Sequence, residues 1–476
     1  MKRKHPDSRA ETDWSALRQV HSSAATSVDE FVTQQMIASF ARGSAGGPSG
    51  LKPQHLKDAM QPGFQDELVR LLTQVINTLS RGDAPESIRA FLTAASLTAL
   101  PKDTGSHRPI AVGETLRRLV GKCLLESIAT EAKSRLEPLQ VGVGTKLGGE
   151  AVVHVGRQWM SRHSQDVRRL LVKLDMENAF NCVDRQAVLS AVRASFPQLA
   201  PWTDFAYGDS SGLWMDGARL DSKRGVQQGD PLGPLLFSLA LQVAVEKVIA
   251  RAESASIGKL DFLVFYLDDC TLAGTDDTVF WFCEELQKEL SDIGLSINWG
   301  PGKSEAVLAA GESSEVDQSR LPKLEFNRIG NVVLLKSPIG SSSFCEEYMQ
   351  EKRESAQSVS NHVAKLEDPQ IALVLLRHCM AYCKMAYNTR VAPSELQANA
   401  LQGFDQDIRA AFGAALGIHP DDSAWTRACR PVKFGGLGLR EAAEVADIAF
   451  VSPLSACSEL ASLIDPAFFG FRLVVI

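Results

Sequence analysis

The chain lacks the features that would place it outside the cell or in a membrane. Its polar start shows no signal-peptide pattern, and no apolar run approaches the ~18 residues needed to span a bilayer. The nine cysteines are odd in number and scattered, which favours reduced thiols in an intracellular compartment, nuclear or cytoplasmic. There is no internal repeat and no low-complexity tract. These absences exclude a secreted disulfide scaffold, a repeat protein and a membrane partner.

The chain also lacks the net positive charge that phosphate binding usually demands, since its formal net charge is −7. The charge is unevenly distributed, however. Residues 102–173 contain 13 basic and 7 acidic side chains, a net charge of +6 that leaves −13 for the rest. This segment can steer an anionic ligand locally, although binding without a partner should be weak and sensitive to salt. Hydrophobic content of 45% and charged content of 22% are typical of a soluble globular protein.

The most informative stretch that is present is FLVFYLDDC, residues 262–270. Five β-prone residues precede Asp268 and Asp269, and a second apolar run follows them, so we predict a hairpin with both acids at its tip. Two neighbouring anions repel each other unless a cation offsets them. Taken alone, the pair is as well explained by an acidic solvent-exposed turn.

The sequence around this pair argues against that simpler explanation. Asp175 ends an apolar strand, and Phe180 follows five positions later. Leu232 to Val245 are nearly all apolar and predict a buried helix. Chance does not easily place so many such elements in one order. With the acidic pair, the ordered elements are LVKLDMENAFN (171–181), VQQGDPLGPLLFSLAL (226–241), LSINWGPGKSEAV (295–307) and LLKSPIG (334–340).

This order resembles motifs A to E of reverse transcriptases, and most closely those of non-LTR (LINE-type) retrotransposons. The resemblance spans roughly residues 40–440 and extends to PKDTGSHRPIAV (101–112), PLQVGVGTKLGGEAVVH (138–154) and FGGLGLR (434–440). It implies an α/β right-hand polymerase fold with fingers, palm and helical thumb. The predicted division is a polar segment with a leading helix (1–42), fingers (43–167), palm with primer grip (168–345), and helical thumb with connector (346–476).

The resemblance implies RNA-directed DNA polymerase activity, which adds dNTPs to a DNA primer on an RNA template. Nucleotidyl transfer of this kind uses two Mg²⁺ ions, which prefer hard oxygen ligands. We therefore predict Asp175 and Asp268 as metal ligands. Asp269 is predicted to give electrostatic support, and ligation by it stays open. Whether Mn²⁺ substitutes for Mg²⁺ also stays open.

Three residues are predicted to contact the incoming nucleotide itself. In the family, an aromatic at the position of Phe180 lies beneath the sugar and rejects a 2′-hydroxyl, which favours deoxynucleotides. By resemblance, Gln228 contacts the nucleotide, and Gly229 lets the backbone approach it or the template. The simpler alternatives are a core aromatic for Phe180 and an ordinary helix entry for the other two.

Three cations are predicted to act on the triphosphate. Lys102 and Arg108 lie in a predicted loop before Ile110 and resemble the fingers residues that grip its β- and γ-phosphates. Lys303 resembles the motif D lysine that protonates the leaving pyrophosphate. A solvated loop lysine is the alternative for Lys303.

Patterning predicts the remaining elements. Helices are expected over 31–42, 63–98, 115–135 and within 346–448, and two strands about Gly330 and Asn331 should form the primer grip. The stretch around His378, Cys379 and Cys383 predicts a buried helix more readily than a zinc site.

Two other functions remain open. One is a catalytically inactive or truncated retroelement remnant that acts at most as a nucleic-acid-binding protein. The other is an RNA-dependent RNA polymerase, which Phe180 disfavours. We also expect no room for an endonuclease or RNase H beside residues 43–440, so the chain could be a fragment, and an element-encoded or host nucleic-acid-binding partner is expected.

Overall fold

The computed structural model describes residues 1–9, 12–13, 17, 25–101 and 105–470. The described residues of the first part of the chain, 25–101 and 105–162, form four α-helices up to residue 92, then a pair of strands, and then three further α-helices. Asp29 caps the first helix by accepting from the Val32 amide. The elements are α1 (Glu30–Ala38), α2 (Pro53–Ala59), α3 (Gln65–Ser80), α4 (Glu86–Leu92), β1 (Ala95–Pro101), β2 (His107–Gly113), α5 (Thr115–Ser127), α6 (Ala129–Leu136) and α7 (Gly148–Arg162).

Strands β1 and β2 correct two sequence-based predictions. Residues 95–98 were predicted to be helical, but they pair with β2 in antiparallel register. Arg108 was predicted in a loop and instead lies on β2, opposite Leu100. Residues 95–98 are too few for a strand pattern to be recognised, and they directly follow a longer helical pattern, so the sequence predicts helix there.

The next elements build the central sheet and its helical layer. They are β3 (Arg169–Leu174), α8 (Ala179–Cys182), α9 (Arg185–Ser195), α10 (Ala200–Tyr207), β4 (Ser211–Met215), β5 (Ala218–Ser222), α11 (Gly233–Ser254), β6 (Phe262–Tyr266), β7 (Asp269–Thr275), α12 (Asp276–Asp292), β8 (Glu305–Leu308) and β9 (Glu325–Asn327).

The central sheet has the strand order β6-β7-β3-β8-β9, with β3 in the middle. All of its neighbouring strands are antiparallel except β8 and β9. The hairpin β4–β5 joins the other sheet, because β4 pairs in parallel with β1. Residues 211–222, which lie inside the predicted palm range, therefore extend the sheet of the predicted fingers.

The helix α11 packs at the centre of the largest hydrophobic core, with side chains buried on several faces. The buried helix predicted from Leu232 onward is thus confirmed. By length and composition α11 could cross a membrane, so the prediction that no run approaches that length is wrong for this helix. Since 67% of its most apolar window is buried inside the protein, a core helix explains the same composition.

A second hairpin follows the central sheet, formed by β10 (Val332–Leu334) and β11 (Ser337–Ile339). Its turn is Leu335–Lys336, and both residues have positive φ. Strands flank Gly330 and Asn331, as predicted, but β9 pairs with β8 and β10 pairs with β11, so the hairpin turn lies five residues further along the chain. Gly330 and Asn331 attract a turn prediction by composition, but the strand before them, β9, belongs to the central sheet.

The last part of the chain is helical, as predicted. It forms α13 (Ser342–Val363), α14 (Pro369–Leu375), α15 (Ala386–Val391), α16 (Ala398–Leu416), α17 (Asp422–Cys429), α18 (Ala442–Ala456) and α19 (Ser458–Ile464). Most of these helices share a core of their own, whereas residues of α19 pack with α7 and the central sheet.

The stretch around His378 is not the single buried helix that was predicted. After α14 the chain makes a π-helical turn over Leu376–Met380, and a short 3₁₀ turn over Tyr382–Lys384 follows. Cys379 and Cys383 are exposed. The apolar periodicity predicts a continuous helix because it does not distinguish α-helical turns from π-helical or 3₁₀ turns.

Candidate catalytic site

Asp175 stands directly after β3, the middle strand of the central sheet. The carboxyl end of β3 is fixed by the loop before β8. The Asp175 backbone N–H donates to Ser304 Oγ over 3.1 Å, and its carbonyl accepts from the Asn298 amide over 2.7 Å. Asn298 Nδ2 also donates to Asp175 Oδ2 over 2.9 Å. The side chain is therefore oriented by Asn298, a residue that sequence reasoning missed.

The acidic pair lies at the hairpin β6–β7, as predicted, but the two acids occupy different positions in it. Leu267 and Asp268 form the two-residue turn, whereas Asp269 is the first residue of β7 and pairs with Tyr266. Leu267 has a φ of 58°, which lies in the left-handed region that residues other than glycine rarely adopt. The prediction that both acids form the tip is therefore right only for Asp268.

The register of the sheet brings the carboxylates of separate strands together. Because Leu174 pairs with Cys270, the next residues along each strand are Asp175 and Asp269. Burial, together with the negative charges of Asp268 and Asp175, raises the pKa of Asp269 to about 6. Lys173 opposes this rise, but its Nζ is held by Glu305 at 2.9 Å.

This donor set suits a hard divalent cation, because it offers carboxylate oxygens that repel one another without a cation. In the described part of the chain, however, no three His, Cys, Asp or Glu side chains are already arranged to hold a metal ion. The chemistry of the donors fits the predicted metal, and the arrangement is not a preformed three-ligand cage.

Gln140 holds the turn that presents Asp268. Its Oε1 accepts from the backbone N–H of Leu267 over 2.8 Å and from that of Gly142 over 2.9 Å. Its Nε2 donates to the Leu267 carbonyl over 3.0 Å. The side chain is buried, and the neighbouring backbone pairs with Phe265. A Cβ at Gly142 would lie 2.6 Å from the Leu267 nitrogen, so this segment approaches the turn closely.

The cleft beside the carboxylates contains the predicted general acid. A pocket of about 260 Å³ between the central sheet and the β10–β11 hairpin is lined by Asp175, Asp269 and Lys303, and also by Lys173 and Lys336. Lys303 is exposed in the loop before β8. The structure thus brings Lys303 to the same cleft as two of the three acids.

Gln228 and Gly229 form the entry to α11 and dock on strand β2. The Gln228 carbonyl accepts from the Ala111 amide over 2.7 Å. Gly229 has φ of 127°, and a Cβ there would lie 2.4 Å from the Ala111 carbonyl oxygen. Gln228 Oε1 is buried and has no hydrogen-bond partner among the described residues. A buried acceptor of this kind is expected to be satisfied by a ligand or by water.

Asp230, which sequence reasoning left unassigned, anchors this entry. It is buried and accepts from Arg117 over 2.9 Å and from the Tyr207 hydroxyl over 2.7 Å. Its Oδ1 also accepts from the Leu232 amide, which begins the turn into α11. Arg117 donates as well to the Thr93 carbonyl at the start of β1. This network connects α11 to the four-stranded sheet that contains β1.

Phe180 is half-buried at the start of α8 and stacks on Phe237 of α11, with ring centroids 4.6 Å apart. Its carbonyl accepts from the Val226 amide, so the segment before Gln228 fixes its backbone. Its side chain is held on one face by Phe237, an arrangement compatible both with a core aromatic and with a floor for the sugar.

The predicted phosphate grip is only partly described. Arg108 is exposed on β2, three residues from the Ala111 contact with Gln228. Lys102 lies outside the described residues. Much of the positive charge of residues 102–173 is neutralised within the protein, since seven of its cations pair with carboxylates. The seven are Arg117, Lys133, Arg135, Arg162, Arg168, Arg169 and Lys173.

Comparison with known proteins gives one family match and several relatives. Residues 100–330 match the family "Reverse transcriptase (RNA-dependent DNA polymerase)". The retrotransposable element SLACS 132 kDa protein of Trypanosoma brucei gambiense is 24% identical over 439 residues, which cover 89% of this chain and 34% of that protein. The Pol polyprotein of retrotransposable element R2 from Popillia japonica is 25% identical over 403 residues, 76% of this chain and 52% of that protein.

This chain therefore spans about a third to a half of the length of these relatives. Among solved structures, telomerase from Candida albicans in complex with the TWJ fragment of telomeric RNA aligns with a TM-score of 0.38 at 13% identity. That alignment covers 81% of this chain and 66% of the telomerase chain.

Proposed function

We propose that this chain, whose residues 100–330 match the reverse transcriptase family, synthesises DNA on an RNA template by adding dNTPs to a primer 3′-hydroxyl. The predicted resemblance to non-LTR retrotransposon proteins and the predicted right-hand polymerase fold are confirmed, and nucleotidyl transfer is the activity that we propose from them. The observation that supports activity of this chain is the meeting of Asp175, Asp268 and Asp269 at the β3 and β6–β7 strand ends.

Family membership implies dependence on a divalent metal, and we propose Mg²⁺ because all three side chains offer hard oxygen donors. When bound, such ions lower the pKa of the primer hydroxyl and neutralise charge on the triphosphate. Asp175 and Asp268 are the proposed ligands. Asp269, whose pKa is raised by burial and by the other two acids, is the proposed supporting charge.

Four other side chains have proposed roles in binding the nucleotide and in proton transfer. Gln228 Oε1, a buried acceptor without a partner in the described chain, is proposed to accept from the incoming nucleotide. Phe180, fixed on Phe237, is proposed to limit the space for a 2′-hydroxyl. Lys303, in the cleft with Asp175 and Asp269, is proposed to donate a proton to the leaving pyrophosphate. Arg108 is proposed to hold the triphosphate.

The first test is primer extension by the purified chain on poly(rA)/oligo(dT) with Mg²⁺, comparing dTTP with UTP. We expect extension with dTTP and none with UTP. Asp268→Asn should abolish extension, because it removes one charge of the carboxylate group at the turn. Asp58→Asn makes the same chemical change at an exposed position of α2 and should leave extension intact.

Three results would contradict the proposal or a part of it. Extension by Asp268→Asn at the rate of the wild type would remove the turn from the catalytic site. Absence of any extension by a folded wild-type chain that binds the duplex would favour the remnant that only binds nucleic acid. Incorporation of UTP would exclude the role given to Phe180.

A further inference from the structure

A second pocket lies in the helical C-terminal region, away from the carboxylates. It has a volume of about 550 Å³ and is bounded by the π-helical turn of Leu376–Met380 and by the loop after α17. Its lining includes Arg377, His378, Tyr382, Cys383, Val432 and Arg440. The lining contains no carboxylate. Neither the catalytic residues nor the predicted primer grip take part in it.

The two segments that form this pocket are basic in a chain that is acidic overall. Residues 369–394 contain three Lys or Arg and residues 423–440 contain four, with no Asp or Glu in either segment. Arg390 is used internally, because it pairs with Glu150. Within the described chain, the lining residues Arg377 and Arg440 form no ion pair, and neither does Lys433 beside the pocket. These cations remain available to an anionic ligand.

An aromatic side chain is presented next to these cations. Phe434 is 66% exposed, and Lys433 Nζ lies 4.8 Å from its ring centroid. Val432 is also largely exposed. Cations beside an exposed aromatic ring suit a phosphodiester chain whose bases stack, since every base offers a π-face. An acidic protein segment would use the cations but would gain little from the exposed ring.

The backbone holds this surface in one shape. Gly435 and Gly438 both have φ of 77°, which a residue with a side chain rarely adopts. A Cβ at Gly436 would lie 2.0 Å from the Arg430 carbonyl oxygen. The amide of Gly438 donates to that same carbonyl over 2.9 Å. On the other side of the pocket is a π-helical turn, a rare conformation that is frequently found at functional sites. The pocket is therefore preorganised.

We propose that this pocket and the loop beside it bind an unpaired segment of single-stranded RNA. Its phosphates are held by Arg377 and Arg440 of the lining and by Lys433, and a base stacks on Phe434 next to the pocket. A volume of about 550 Å³ accommodates the adjoining nucleotide, whereas a duplex has no free base to stack on the ring. The proposal deepens the proposed function, because a polymerase that copies RNA must hold unpaired template. Its test measures binding rather than synthesis.

The experiment measures the affinity of the full chain for fluorescein-labelled oligo(rU), without Mg²⁺ or dNTPs, across a range of salt concentrations. Phe434→Ala should weaken binding about tenfold through loss of stacking. The control is Phe64→Ala, since Phe64 is 69% exposed and lies elsewhere. In the double variant Lys433→Gln/Arg440→Gln, loss of two phosphate contacts should lower the slope of log affinity against log salt by about 1.4.

A blunt RNA–DNA duplex and the same duplex with an unpaired RNA extension form the other two arms. Dependence on Phe434 for oligo(rU) or for the extension, but not for the blunt duplex, supports the proposal. Unchanged affinity and salt slope in both variants overturn it, as does equal weakening toward the blunt duplex. Displacement of oligo(rU) by polyglutamate at equal charge concentration also overturns it, because it would show a site for anions of any kind.

The outcome is separable from that of the proposed function. A chain that fails to extend primers yet binds oligo(rU) through Phe434 would retain this inference and lose the catalytic one. Normal extension together with binding indifferent to Phe434 would do the reverse.

Discussion

Replacing Gln140 by alanine tests how the turn that contains Leu267 and Asp268 is held. The change removes three hydrogen bonds to Leu267 and Gly142, each with a net value of about 1 kcal/mol, or roughly 3 kcal/mol in total. Leu267 occupies the left-handed region, which costs roughly 1–2 kcal/mol for a residue other than glycine. With Gln140 present, its three hydrogen bonds outweigh the backbone strain at Leu267. Without Gln140 these bonds no longer offset the strain. We therefore expect the turn to relax and Asp268 to move.

The consequence should appear in catalysis more than in folding. A displacement of about 1 Å in a catalytic group can lower a rate roughly 100-fold. We expect primer extension by Gln140→Ala to show a kcat about 100-fold lower, together with a higher Mg²⁺ requirement, while thermal unfolding shows a loss of about 3 kcal/mol or less. The measurement is steady-state extension over a Mg²⁺ titration, with an unfolding curve for each variant.

Gln397→Ala is the matched control. Gln397 is equally buried, and its Nε2 donates to backbone carbonyls of residues 388, 392 and 393 in the helical region. It should lose stability to a similar degree and keep the Mg²⁺ dependence of the wild type. If Gln140→Ala keeps the wild-type kcat and Mg²⁺ requirement, or if Gln397→Ala shifts them equally, Gln140 does not position the turn.

Three further predictions concern other parts of the molecule. Phe180→Ala should raise incorporation of UTP relative to dTTP at least tenfold on poly(rA)/oligo(dT), whereas Phe64→Ala should not; an unchanged ratio would make Phe180 a core residue. Asp230→Asn leaves Arg117 buried with its charge uncompensated and should cost about 3–5 kcal/mol in an unfolding measurement, so a loss below about 1 kcal/mol would contradict the network. Burial raises the pKa of Asp405 to about 6, so its folded form keeps a proton that the unfolded form releases near 3.8. This contribution to stability is complete below pH 3.8 and is lost as the pH rises through 6. The thermal unfolding temperature of Asp405→Asn should therefore fall less between pH 4 and pH 6.5 than that of the wild type. Parallel curves of unfolding temperature against pH would show that Asp405 does not cause this pH dependence.

The sequence alone was sufficient to predict the family resemblance, the fold class and the strands that carry the acidic residues. The order of motifs along the chain does not depend on packing. The apolar run before Asp268 and the apolar segment after Asp230 are local patterns, and they form the predicted strand and helix. The sequence could not assign the sheet partners. No local pattern in residues 211–222 reveals their parallel pairing with the strand that begins at Ala95.

The positions of single side chains depended on tertiary structure for a physical reason. Gln140 and Asp268 are 128 residues apart along the chain, and no local pattern reveals that an amide side chain completes a distant turn. The pairing of Arg117 with Asp230 is of the same kind, because burial of an ion pair depends on which helices meet. The sequence thus determined which chemical groups this protein has. Long-range packing decided which of them meet, since hydrogen bonds and pKa shifts arise between neighbours in space.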